Sequence, residues 1–458
     1  MPDFFKIARF FLMAIGVTVA IVTTSTLFPF IVGKYVWFRT AVDLAFFFTV
    51  MGLLWGKQAE FFWTRLKSLF RSPIAIAVTV FTIAFLLASF FGIDPKWSFW
   101  SNFERGEGGF QILHLWFFFI LTSLLFHEEK QWHTALRWFF VGATLMILYG
   151  VLANFGMFGF IGDKFSTPGF RFAGSIGNSS YVAVFLAFMV YYVLYFFAEK
   201  YKDFKQKPSA WILLGLLAIF LAFFFLAGTR GAFMGLVASA VFAALLFAYS
   251  HKVWRKWLIT GVVAFIAVVV LLINFKNTPF VQAIPGHRVF DVSISAETFA
   301  TRRIMWNVAW EGFKVHPVFG WGPENYIKIF DTHFDTRYFI PKDGFGAWFD
   351  RAHSLIFDYL AETGIVGLLS FVGMFIVFYW RFFIASKKQD SFISQKSSFQ
   401  RALIAAIPIA YLVQGLVLFD VLPTYLNLFF FLAFSTFLLE FKSSSSNTII
   451  EHARDSNR

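Results

Sequence analysis

Runs of about 20 apolar residues recur along nearly the whole chain, the length that one helix needs to cross a bilayer's hydrocarbon core. Hydrocarbon leaves no partner for an unpaired backbone N–H or C=O, so such runs are read as helices. Run length predicts about twelve spans, at residues 10–32, 36–55, 74–93, 110–126, 138–157, 181–198, 211–227, 232–248, 257–275, 365–384, 403–419 and 422–439. Of 458 residues, 59% are apolar and 14% charged. Soluble domains hold about 45–50% and about 25%, so a soluble core has no place for this excess. The fold class expected is an all-α polytopic membrane protein. The chain has no cysteine, which excludes disulfides and thiolate metal sites.

The net charge of +13 points to topology rather than to nucleic acid, because lysine and arginine cluster in short segments between apolar blocks. The first block follows Lys6 and Arg9. It is too long for a signal-peptide core and lacks a small-residue cleavage site, so it is expected to remain as the first helix. With the N-terminus in the cytoplasm, the inside loops receive Lys57, Arg65, Lys67 and Arg71, then Lys200, Lys202, Lys205 and Lys207. Lys252, Arg255 and Lys256 follow, and finally Lys387, Lys388 and Lys396. The tally is about 23 basic residues inside against about 7 in short outside loops, as the positive-inside rule requires.

Four regions follow: spans one to nine in 1–275, an outside segment 276–361, spans ten to twelve in 362–441, and a polar cytoplasmic tail 442–458 expected to be disordered. Within the outside segment, 297–313 reads as a helix capped by Ser293 or Ser295, with Phe299, Trp306, Trp310 and Phe313 along one face. It ends near His316-Pro317. Gly320-Trp321-Gly322-Pro323 turns into a short helix from Glu324, 352–362 is helical, and Gly364 breaks into the tenth span.

Charge beside an apolar block is informative because it costs about 2.5–3.5 kcal/mol on insertion scales. Arg230 interrupts two such blocks at the outer end of a hairpin. It either reaches to lipid headgroups or caps the seventh helix, or it faces the bundle as an anion site. Arg302 and Arg303 flank the aromatic face of the outer helix, where an interfacial anchor is the plainer reading, and helical geometry does not choose between them. With Arg105 and Arg351 they place several guanidiniums outside, which suits a phosphate ligand. His353 precedes the tenth span; a lone histidine is more often structural than catalytic. Asp331, His333 and Asp335 alternate like metal ligands but read as a solvated loop, and Asp350 beside Arg351 reads as an ion pair.

Several segments together resemble the signature region of O-antigen ligases and related polymerases. They are Arg302-Arg303-Ile304-Met305-Trp306, Gly320-Trp321-Gly322-Pro323-Glu324-Asn325-Tyr326, Asp350-Arg351-Ala352-His353-Ser354 and Glu362-Thr363-Gly364-Ile365-Val366-Gly367. Thr229-Arg230-Gly231 is similar to the family's hairpin. Gly177-Asn178-Ser179-Ser180-Tyr181 is similar to its Gly-Asn-Pro element, with Ser179 in place of proline; Ser354 stands where asparagine is common. The likeness covers roughly residues 95 to 375 in order and spacing.

The resemblance implies a GT-C-type glycosyltransferase of the bacterial inner membrane, acting at its outer face. Such an enzyme takes a glycan from undecaprenyl diphosphate and passes it to an acceptor hydroxyl on a glycolipid, a protein or a growing glycan. No metal or other cofactor is implied. Carried over by position, Arg230 and Arg302 hold the diphosphate and His353 is the base, with Arg303, Arg351, Asp350 and Arg105 as further candidates. Ligation, polymerisation and protein glycosylation share this signature. The reading from another class is a transporter of lipid-linked glycans, which more often shows repeated halves and charges at the bilayer midplane.

Overall fold

The computed structural model describes residues 3–56, 59–102, 104–157, 169–200, 208–284, 286–291, 297–339, 348–388 and 390–441. Among them, nine helices are long and apolar enough to cross a membrane, and no strand is present. In chain order the bundle begins with α1 (Phe4–Ala14), α2 (Val32–Trp55), α3 (Pro73–Phe91), α4 (Gly109–Leu125), α5 (Glu129–Asn154) and α6 (Ser179–Lys200). It continues with α7 (Pro208–Leu226), α8 (Arg230–Ser250), α9 (Arg255–Asn274), α10 (Leu355–Ala385), α11 (Ser398–Gly415) and α12 (Leu422–Glu440). The chain is thus an all-α polytopic membrane protein, in which the shorter α1, α4 and the more polar α11 complete the bundle. Every residue of α12 from Leu422 to Leu439 is buried, whereas α9 buries only Val269. Both are apolar all round, one because it lies at the centre and the other because its faces suit lipid.

The first span departs from the sequence reading. A single helix is predicted over 10–32, yet α1 ends at Ala14, a 3₁₀ turn carries Ile15–Ala20, and residues 21–31 are non-helical. Residues 17–26 are rich in valine, isoleucine and threonine, which stiffen at χ1 and propagate a helix weakly. Gly16 also lies backbone-to-backbone against α5, where a Cβ on Gly142 would collide with the Gly16 carbonyl oxygen. Two carbonyls of the break, Ile21 O and Phe30 O, accept from buried Lys34 Nζ at 2.7 Å, and the same Nζ donates to Ser175 O at 2.7 Å.

The loops sort into two ends. At one, Arg65 donates to the carbonyl of Ser123, Lys396 pairs with Glu129, and Arg381 grips Glu440 with two bonds of 2.7 Å. At the other, Ile93 N donates to Trp321 O, Arg105 pairs with Asp350, and Leu422 N donates to Glu107 Oε1. All the segments that carry the resemblance meet at this second end.

The helix predicted over 297–313 spans Glu297–Val315, but its aromatic stripe is only partly used. Met305, Val308 and Ala309 are buried, while Trp310 is 44% exposed. The cause is Gly312, whose missing side chain admits Ile329 from the helix Tyr326–Thr332, so the aliphatic face docks instead. Trp306 stacks on Phe357 with ring centres 5.4 Å apart. That short helix begins at Tyr326 rather than Glu324, and the helix expected from 352 begins at Leu355 as α10. α10 passes through the kink at Gly364, whose φ of 64° is the left-handed conformation that glycine adopts without strain. The proposed caps Ser293 and Ser295, the inside lysines Lys57, Lys202, Lys205 and Lys207, and the polar tail lie outside the described residues.

The Gly-Trp-Gly-Pro-Glu-Asn run is a buckle. Trp321 N and Gly322 N donate to the carbonyls of Ala361 and Glu362 at 3.0 and 2.8 Å, joining the turn to α10 just before its kink. Asn325 Nδ2 donates to Ser98 Oγ at 2.7 Å, and Tyr326 OH donates to Met305 O at 2.7 Å. The turn therefore ties the helix Pro95–Trp100, the outer helix and α10 into one cap over the bundle.

Candidate active site

Beneath that cap lies a cavity of about 520 Å³. Its wall includes Lys34, Tyr35, Arg105, Glu107, Asn178, Ser180, Arg302, Asp350, His353 and Phe419. Residues from six separate stretches of sequence thus face one space large enough for a sugar diphosphate.

His353 stands in a left-handed conformation with φ 57°, uncommon for any residue with a Cβ. Its ring lies edge-on between Phe349 and Phe419, with centres 5.3 and 5.1 Å away. Its Nδ1 is 3.1 Å from Arg351 O. A carbonyl only accepts, so Nδ1 carries the proton and Nε2 keeps its lone pair. Burial, set against that backbone hydrogen bond and reinforced by the Arg302 charge, lowers the imidazole pKa below its ordinary value. The ring is therefore neutral at neutral pH and able to accept a proton.

Arg302 is half-buried on the cavity wall, and among the described residues no carboxylate pairs with it. Burial, followed by the neighbouring Arg230 charge, lowers its pKa. Two like charges in a partly desolvated site favour an anion between them. Arg303 is exposed and does not line the cavity, whereas Arg302 does. Arg230 opens α8 after the left-handed Gly228, and its Nη1 donates to Asp291 O at 2.9 Å. It stands beside the cavity rather than in its wall, and Asp291 is also held by Lys276 at 2.5 Å. Asn178 shapes the loop before α6 by accepting from Ser180 N at 2.8 Å.

Arg351 does something else. Its side chain is buried and ion-paired with Glu324, with Glu362 at 3.2 Å and with Glu107 at 3.8 Å. The expected pairing of Asp350 with Arg351 is not formed between their side chains: Asp350 bonds Arg105 Nε at 2.5 Å, and Arg351 reaches only its backbone carbonyl. Burial pushes the Glu107 carboxyl up to about 8, with Arg105 and Arg351 pulling the other way. Asp331, His333 and Asp335 do not converge; Asp335 pairs with Arg337, and the His333 ring packs against Trp321.

Sequence reasoning passed over several residues. Arg171 donates to Ala227 O, Ser180 Oγ and Thr229 Oγ1, stitching the Arg230 hairpin to the Asn178 loop. Glu107, Glu324 and Glu362 form the carboxylate shell, and the available signal was acids placed beside apolar runs or inside quoted motifs. Phe419 had no signal, being one phenylalanine among 71.

Residues 215–372, about a third of the chain, match the family model described as O-Antigen ligase. That stretch is similar to an O-antigen ligase domain. It includes Arg230, Arg302, the buckle, His353 and the kink at Gly364, while Arg105 and Asn178 join the cavity from outside it. A membrane glycosyltransferase of the ligase or polymerase type is the activity class that an O-antigen ligase domain supports. No curated protein sequence matches the chain.

Proposed function

We propose that this protein transfers a glycan from undecaprenyl diphosphate to an acceptor hydroxyl, in the manner of an O-antigen ligase, at the outer face of a bacterial inner membrane. The observation that carries the reading is one cavity holding both a half-buried Arg302 and a neutral His353, with no carboxylate on Arg302 and no partner on His353 Nε2 among the described residues. The acceptor oxygen attacks the anomeric carbon, and its bond to that carbon forms as the bond to the diphosphate oxygen breaks. His353 Nε2 takes the hydroxyl proton. Arg302 and Arg230 neutralise the charge gathering on the departing diphosphate, where a low-dielectric site strengthens each interaction. A single displacement inverts the anomeric configuration. The acceptor is a glycolipid, a protein hydroxyl or a second glycan, and ligation is the branch favoured by the Asp350-Arg351-Ala352-His353 run and the Gly-Pro-Glu-Asn turn.

The test is reconstitution in vesicles with an undecaprenyl-diphosphate-linked glycan and each acceptor class in turn. Covalent product with one acceptor is expected. Donor crossing the bilayer without transfer to any acceptor makes the protein a transporter instead. The pH profile is a further expectation. The base works only when neutral, so protonation stops the reaction on the acid side, and burial lowers the pKa below histidine's ordinary 6.5. The rate should therefore be flat through neutrality and fall along an acid limb with an apparent pKa under 6.5; a limb above 7 counts against His353.

A further inference from the structure

We infer that Asp358 is a positioning residue for the proposed reaction, bracing the backbone on both sides of His353; this rests on the role given to His353 above. The left-handed conformation of His353 costs about 1–2 kcal/mol for a residue with a Cβ, so something must hold it. The peptide N–H groups immediately before and after it point at one side chain. Ala352 N donates to Asp358 Oδ1 at 2.6 Å, and Ser354 N donates to Asp358 Oδ2 at 3.3 Å. Both oxygens of one buried carboxylate are thereby used on the two residues flanking the base. Asp358 sits one turn into α10 and its own N–H donates to Ser354 O at 2.8 Å, so the brace is anchored to a helix rather than to a loop.

The remaining freedom of His353 is removed by other groups. The Nδ1 bond to Arg351 O sets the ring's rotation, and Phe349 and Phe419 close on its edges. Arg351 O is in turn carried by a residue locked in the carboxylate shell. Asp358 thus fixes the backbone while its neighbours fix the side chain. A reacting base must lie within a few tenths of an ångström of its productive place, and misplacement lowers turnover more than binding.

The plainer role for an acid near a helix start is capping, worth about 1 kcal/mol of stability and without effect on chemistry. Asp358→Asn separates the two. Asparagine offers one acceptor oxygen, and its amide would face the other N–H donor to donor, so one bond is lost. The full chain in lipid nanodiscs is assayed as wild type, Asp358→Asn, His353→Ala and the double variant. Transfer rates, KM for undecaprenyl-diphosphate-linked glycan and melting midpoints are measured. The expected result is a kcat at least about tenfold lower in Asp358→Asn with KM within about twofold, and no further loss when it is added to His353→Ala. If Asp358→Asn does not fold, Asp358→Glu keeps the charge but displaces the oxygens, and the same loss of kcat is expected. Wild-type kcat in either folded variant, with only the melting midpoint moved, makes Asp358 a cap and overturns the inference. So does a loss in the double variant that adds to that of His353→Ala. An active His353→Ala is a different outcome, since it removes the base itself and leaves nothing for Asp358 to position.

Discussion

Replacing His353 with alanine should lower glycan transfer at saturating donor by at least about a hundredfold, the usual scale for loss of a positioned general base. KM for the donor should move little, because the proposed role of the ring is toward the reacting hydroxyl rather than the diphosphate. Arg302→Ala is expected to differ in kind. It removes a cavity-wall guanidinium that has no carboxylate partner among the described residues, so both donor affinity and turnover fall, the latter by roughly a hundredfold to a thousandfold. Steady-state kinetics with a purified lipid-linked glycan distinguish the two patterns. Transfer within about threefold of wild type in a folded His353→Ala protein removes imidazole from the mechanism.

The second large effect falls on stability. Arg351→Ala deletes the cation that faces Glu107, Glu324 and Glu362. Breaking one side of a buried ion pair costs about 3–5 kcal/mol, since the opposite charge stays buried and uncompensated. Here three carboxylates lose their partner at once, so the melting midpoint in detergent should drop sharply. The loss should deepen with pH. The Glu107 pKa is raised in the folded protein to about 8, so the folded state holds a proton that the unfolded chain releases near its ordinary 4.5. The stability from that proton is complete below 4.5 and is lost as pH rises through 8. Arg351→Ala should therefore melt closer to wild type at pH 5.5 than at pH 8.5, and an unchanged midpoint at both values would show that the shell is hydrated rather than buried.

Much of the scaffold was legible because hydrocarbon imposes one dominant rule, an apolar run of sufficient length for each crossing. That rule places α2 to α12 close to where they lie. It fails at residues 21–31, where composition is apolar but the backbone is held by Lys34 and by a glycine contact with α5. It also cannot separate α9 from α12, which have similar composition and opposite burial. At the candidate site, pattern alone left Arg302 level with Arg303 and His353 as an ordinary histidine; the resemblance singled out Arg302 and His353, and the structure places both on the cavity wall. Arg351 stands in the same motif as His353, yet only three dimensions show it surrounded by acids from residues 107, 324 and 362. Nor does spacing reveal that Asp350 turns to Arg105, which lies 245 positions away.

The most direct measurement is the structure, by electron cryomicroscopy in nanodiscs, of His353→Ala protein soaked with undecaprenyl diphosphate. Density for the diphosphate is expected in the cavity of about 520 Å³, within hydrogen-bonding reach of Arg302 and close to Arg230, with the space left by residue 353 open to the acceptor side. Diphosphate bound elsewhere, with Arg302 untouched, would contradict the site assigned to this transferase.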